Sequence, residues 1–123
     1  MIVVYQNDVP AEVNSPEDPV VLKGKLYLQR LIRAETSGGI EFGSVRFSKG
    51  ARTNSHTHDS SQILYVTEGK GIVGTKEKDW VITPGVVVFI PAGTVHWHGA
   101  AEEYGLTLVT LYNGNLVVTN EQR

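Results

Sequence analysis

Four side chains in two spaced runs carry most of the chemistry open to this chain. The first run reads Gly50-x5-His56-x-His58-x3-Gln62-x6-Gly69, and the second reads Gly85-x5-Pro91-x-Gly93-x2-His96. Imidazole nitrogens and an amide oxygen are good ligands for a divalent transition metal. The chain has no Cys, so thiolate sites, disulfides and thiol catalysis are all removed, and any metal must be held by nitrogen and oxygen. His56, His58, Gln62 and His96 would leave one or two positions on a single ion open, as a catalytic ion requires. Manganese, iron, nickel, cobalt and zinc all suit such a donor set. Gln62 narrows the chemistry, because a neutral amide does not offset the ion's charge as a carboxylate would, and the ion becomes a stronger Lewis acid. That favours polarising a carbonyl, binding an oxyanion or cyanide, or acidifying water over activating dioxygen.

Positioning four donors falls to β-strands. Side chains at i and i+2 of a strand leave on the same face, so His56 and His58 point together. Gln62 opens the next strand after Asp59-Ser60-Ser61 and shares parity with Leu64 and Val66, which should line the interior beside it. Pro91-Ala92-Gly93 is a turn that can return a distant strand and deliver His96. His98 shares parity with His96 and should face the cavity, whereas Trp97 should face away and pack. Strand signals fall at about 24–33, 40–48, 56–58, 62–68, 71–75, 80–82, 86–90, 95–98, 106–112 and 116–119, with no convincing helix. Lys76-Glu77-Lys78-Asp79 and Asn113-Gly114-Asn115 mark turns. Pro10, Pro16 and Pro19 make the segment from Asn7 to Pro19 an extended arm with at most one irregular turn, outside the core.

The whole is one all-β domain over 1–123, with an arm over about 1–22 and a jelly-roll barrel over about 23–119. A net charge of −2 with 11 scattered Lys and Arg offers no footprint for nucleic acid. No apolar run is long enough to span a membrane and the start lacks a leader pattern, which reads as a soluble, cytoplasmic protein. Arg46 and Arg52 are candidates to steer an anionic substrate, with a solvated face as the plainer reading. The run 106–111 is apolar on one face and carries Thr, Val and Leu on the other, as expected when both faces are covered, so a second subunit could cover one of them, and a homodimer is expected.

Both runs resemble the motifs of the cupin superfamily, whose small members are double-stranded β-helix barrels around a buried metal. The resemblance covers roughly Gly24 to Tyr112. Gln62 stands where the usual residue is Glu, Ala100 stands where Asn is common, and 15 residues separate Gly69 from Gly85. The stretches 50–58, 62–69 and 96–100 are similar to a bacterial subgroup. It includes cupins associated with carboxymuconolactone decarboxylases and manganese-dependent cupin hydroxynitrile lyases, in which Gln is the fourth ligand. The resemblance implies metal ligation by His56, His58, Gln62 and His96, most often of manganese, and pocket-lining positions at Gly43, Val45 and Thr53. Where those lyases carry a further His on a late strand, this chain has Leu108, and a Gln is replaced by Tyr112. His98 and Tyr112 are then the remaining local candidates for proton transfer.

Three function classes follow. The first is a redox-neutral metal-dependent lyase, of hydroxynitrile-lyase or aldol type, acting on a small carbonyl or hydroxy compound. The second is a metal-dependent oxygenase, and the third is a non-enzymatic barrel that captures a small ligand.

Overall fold

A computed structural model of the chain describes residues 1–113 and the strand at 116–118. Strand alternation builds the molecule. The long strand β7 (Gln62–Gly69) buries Gln62, Leu64 and Val66 and leaves Ile63, Tyr65 and Thr67 exposed. The same alternation in β12 (Leu106–Asn113) buries Leu106, Leu108 and Thr110. These two strands pair with each other and lie inside a six-stranded antiparallel sheet. Its other members are β1 (Glu12–Asn14), β3 (Leu26–Ile32), β4 (Ile40–Phe47) and β10 (Val87–Ile90), in the order β1-β3-β4-β12-β7-β10. A five-stranded sheet, ordered β2-β5-β11-β8-β9, contains β2 (Val21–Lys23), β5 (Arg52–Thr53), β8 (Gly71–Gly74), β9 (Asp79–Ile82) and β11 (Trp97–Ala100). The short strand β6 (His56–His58) pairs with β13 (Leu116–Val118). This is the jelly-roll barrel expected from the sequence.

The inner faces meet in one core of Val21, Leu26, Val45, Phe47, Leu64, Val66, Val73, Ile82, Ile90, Leu106 and Leu108. Each fully buried aliphatic side chain there contributes about 1.5–3 kcal/mol. Gly69, at φ +83°, ends β7 where a Cβ would overlap the Gly105 carbonyl oxygen, so only glycine lets the chain turn between the sheets. The tetrad 76–79 forms the expected turn between β8 and β9, with Thr75 N–H bonded to Lys78 O at 2.9 Å.

Three features depart from the sequence reading. The arm carries the one irregular turn allowed for it, a 3₁₀ turn at Gln6–Asp8, but it is not outside the barrel: it pairs with β3 through β1 and sends Val21 into the core through β2. A single helical turn, α1 (Ala34–Ser37), links β3 to β4, with Ala34 N–H bonded to the Glu41 carboxylate and Gly38 closing it at φ +76°. Four residues are too few to show a helical period in sequence. The strand expected from Val95 starts at Trp97, because His96 instead makes an isolated bridge to His56. Asn113 ends β12, while Gly114 and Asn115 of the turn expected there, and Thr119 at the expected end of the last strand, fall outside the described residues. Among the described residues no helix is long and apolar enough to cross a membrane.

Candidate metal centre

His56 and His58 leave the same face of β6, as parity requires, and both are buried. His96 reaches them through two reciprocal backbone hydrogen bonds, His56 N–H to His96 O at 2.9 Å and His96 N–H to His56 O at 3.0 Å. The turn that delivers it is tied to the same strand, since Gly93, at φ +79°, donates its N–H to His58 O at 2.9 Å. The two sequence runs are thus stitched together by main chain. One ring nitrogen from each of His56, His58 and His96 lies within 4.8 Å of the others, and these three buried histidines could hold a metal ion.

Hydrogen bonds fix the tautomers of two of them. His56 Nδ1 lies 2.8 Å from Asn54 O and His96 Nδ1 lies 2.9 Å from Thr94 O. A carbonyl only accepts, so each Nδ1 carries the proton and each Nε2 keeps its lone pair for another partner. His96 Nε2 and both nitrogens of His58 are buried without a hydrogen-bond partner. Gln62 is fixed in the same manner: its Nε2 donates to Thr110 Oγ1 at 2.8 Å, leaving a buried, unpartnered Oε1. Buried polar atoms without partners cost about 1–3 kcal/mol each. Several converging at one place is the signature of a site that a cation would satisfy, and the donor set fits a divalent transition metal.

Thr110, which the sequence reading did not single out, is the residue that holds the Gln62 amide in place. Thr110→Val should remove the acceptor that orients the Gln62 amide and lower metal affinity about 10- to 100-fold, while Thr110→Ser should retain it. Chelator competition checks this, and equal affinity in all three proteins would refute it.

Burial pushes His56 down to about 3 and His58 to about 4, each lowered further by the neighbouring His96. Burial also lowers His96 and holds His98 well below the ordinary imidazole range. The rings are therefore neutral at neutral pH, and a metal ion at His56, His58 and His96 would have no proton to displace. The unfolded chain protonates these rings near pH 6.5, while the folded, metal-free protein resists down to about pH 3–4 at His56 and His58. Stability should be complete above pH 6.5 and fall as pH drops toward 4, by about 1 kcal/mol per pH unit for each ring kept neutral. Thermal melts of metal-stripped protein from about pH 8 to about pH 5 test this, and a flat midpoint would contradict it.

A cavity of about 110 Å³ opens against His56, His58 and Gln62. Val45, Thr53, Leu64, Leu108, His98 and Tyr112, all singled out in the sequence, line it, and so do Asn14, Val20, Leu26, Leu28 and Thr110. Two expected lining residues sit elsewhere. Val66 is wholly buried in the core, and Gly43 borders a smaller depression with Arg30, Glu41 and Tyr112. His96 is absent from the lining and closes the centre from the side of β9 and β10. Among the described residues no charged side chain lines this cavity. His98 faces inward as parity implied, with both ring nitrogens buried and unpartnered, its ring 5.2 Å from that of His56. Tyr112 lies with its ring 4.6 Å from that of His58, and burial raises its hydroxyl pKa. Arg46 and Arg52 do not reach the cavity: they stack on Tyr27 at 4.0 Å and on Trp97 at 3.6 Å.

A cupin-domain family model matches residues 43–112, more than half of the chain and including all four donors. This chain is a cupin. Over 88 residues it is 39% identical to an (R)-mandelonitrile lyase of Granulicella tundricola, an alignment taking in 68% of this chain and 65% of that protein. The cupin therefore spans under two thirds of the length of that curated relative. Its fold superposes on a cupin-like protein of Thermotoga maritima with a TM-score of 0.81 and 30% identity, covering 89% of this chain and 85% of the other. A polyketide cyclase of Streptomyces resistomycificus shares the fold alone, with a TM-score of 0.80 at 19% identity, covering 100% of this chain and 88% of that one.

Proposed function

We propose that this cupin is a redox-neutral metal-dependent lyase, of hydroxynitrile-lyase or aldol type, that cleaves or forms a carbon–carbon bond beside a small carbonyl group. The observation that carries this reading is the donor set. His56, His58, His96 and Gln62 are all neutral, and among the described residues no carboxylate lines the cavity. A divalent ion, manganese on the subgroup resemblance, would supply there a Lewis acid whose charge no ligand offsets. The (R)-mandelonitrile lyase relative, at 39% identity, supports the same class.

The chain's own residues supply the rest. Leu28, Val45, Leu64 and Leu108 give an apolar seat for a small, uncharged organic group and exclude water from it. Leu108 cannot act as a base, so proton transfer falls to His98 and Tyr112. The neutral His98 ring accepts the proton of the substrate hydroxyl, a transfer that its lowered basicity allows where a bound ion would acidify that hydroxyl. The Tyr112 hydroxyl, its pKa raised by burial, stays protonated and donates a hydrogen bond. In the cleavage direction the hydroxyl proton passes to His98, the carbon–carbon bond breaks with its electron pair on the departing cyanide or carbanion, and the carbonyl forms. That leaving group then takes up the proton, so the products are neutral and nothing is oxidised.

The test is turnover of a panel of cyanohydrins, aldehydes and hydroxy acids by metal-loaded protein, with dioxygen uptake followed in parallel. Cleavage without dioxygen consumption, lost in a His98→Asn variant that retains metal, supports the reading. Dioxygen consumed in proportion to substrate would replace it with an oxygenase. Binding without turnover would leave a ligand-capturing cupin.

A further inference from the structure

The N-terminal arm ends as a wall of the cavity. Asn14 on β1 and Val20 beside β2 both line it, and β1 and β2 belong to different sheets, so residues 15–20 cross from one sheet to the other at the cavity's edge. The crossing is a compact turn. Asp18 N–H donates to Ser15 O at 2.8 Å, Val21 N–H to Asp18 O at 3.0 Å, and Val20 N–H to the Asp18 carboxylate at 2.9 Å. Pro16 and Pro19 fix two of its φ angles and bring no N–H of their own, so the turn is anchored through its carbonyls.

One residue of the barrel takes both anchoring carbonyls. Asn54 N–H donates to Val20 O at 2.8 Å, and its side-chain Nδ2 donates to Pro19 O at 2.8 Å. A carbonyl only accepts, so the amide must turn its nitrogen to the arm, and its Oδ1 is left buried without a partner. A plain packing residue would not carry that unsatisfied acceptor. The same Asn54 supplies the carbonyl oxygen that receives the His56 Nδ1 proton at 2.8 Å. Thr53 beside it pairs with Val21 of the arm, and its hydroxyl accepts from His98 N–H at 3.1 Å. The arm and the metal centre therefore hang on adjoining atoms of two consecutive residues.

We infer that Asn54 is a positioning residue that couples the arm to the metal centre. A cation on His56 tightens the arm against the cavity, and the docked arm holds His56 in its ligating orientation. With Nδ1 committed to Asn54 O, the ring offers Nε2 to the ion, which draws charge from the ring and makes Nδ1–H a stronger donor. The stronger bond fixes the Asn54 main chain, and the arm is carried by that residue's N–H and side chain. Such coupling is reciprocal: the arm raises metal affinity by the factor by which metal favours the docked arm. The Val20 wall is then set once the ion is in place, so the ion binds ahead of the small organic ligand. This coupling requires the ion but does not depend on the lyase reading.

Amide hydrogen exchange on the full chain, metal-free and loaded with manganese(II) alone, measures the coupling. In wild type the ion should slow exchange at Asp18, Val20, Val21 and Asn54 by about 10-fold, together with the amides of β6. Asn54→Leu is close in size and uncharged but has no donor. It should keep the protection of β6, lose most of that at Asp18, Val20 and Val21, and bind manganese about 10-fold more weakly in chelator competition. Asn54→Ala should change both readouts in the same direction, which separates the lost donor from any crowding by leucine. Gln29→Ala controls for general loosening, because Gln29 Nε2 clamps the arm's other end at Gln6 O and Val9 O. That variant should leave manganese affinity and exchange at Val20 unchanged. Protection of β6 without protection of the arm in wild type overturns the inference. So does wild-type affinity in both Asn54 variants, or an equal loss of affinity in Gln29→Ala. Protection absent from β6 as well would overturn it together with the metal centre.

Discussion

Gently purified wild-type protein should carry close to one transition metal per chain, and His58→Ala should carry essentially none. The size of the effect follows from ligand number. Structural metal sites with four ligands bind with about 10–16 kcal/mol, so one lost imidazole is worth on the order of 100- to 1,000-fold in affinity. Stability separates a lost ligand from a damaged fold. A metal present at a thousandfold excess over its Kd stabilises the wild type by about 4 kcal/mol, a gain that the variant should lack. In the metal-free state the order should narrow or reverse, because His58 then holds two buried nitrogens without partners, a cost that alanine does not incur. Elemental analysis and melting curves with and without metal read both effects. Metal retained by the variant, or absent from both proteins after reconstitution with divalent ions, would reduce these histidines to packing residues.

Much of this centre was legible in sequence because its geometry is local. His56 and His58 converge by strand parity alone, Gln62 opens the next strand, and a Pro–Gly turn announces the return that brings His96. The illegible parts depend on long-range register. Thr110 stands 48 residues from Gln62, and only the pairing of β12 against β7 brings its hydroxyl to the amide. A polar residue in phase with Leu106 and Leu108 on an inward face was the available signal. Asn14 and Val20 line the cavity although three prolines marked the arm as peripheral, because a proline-rich segment can still pair at a sheet edge. The two arginines read as steering groups spend their charge over aromatic rings, and nothing in their neighbours along the chain indicates that.

Gln62→Glu should strengthen metal binding and weaken catalysis, a pairing that a merely structural glutamine would not produce. The substitution is nearly isosteric, and Thr110 tolerates it, because a hydroxyl that accepts from the amide Nε2 at 2.8 Å can rotate to donate to a carboxylate oxygen. What changes is charge. At an effective dielectric of about 20, a unit charge near a divalent ion is worth several kcal/mol, part of it cancelled by burying the carboxylate. A gain of about tenfold or more in affinity is therefore expected, read by chelator competition. The same charge lowers the electrophilicity of the ion, and cleavage should slow by about 100-fold, the scale on which a single electrostatic stabiliser usually acts. The loss should fall on kcat rather than KM, since the apolar lining by Val45, Leu64 and Leu108 is untouched. The added negative charge should also make the ion easier to oxidise in air, an independent spectroscopic sign of its altered charge. Tighter binding with undiminished turnover would mean that the neutral amide is not what drives the chemistry. Weaker binding would mean that Gln62 does not face the ion at all.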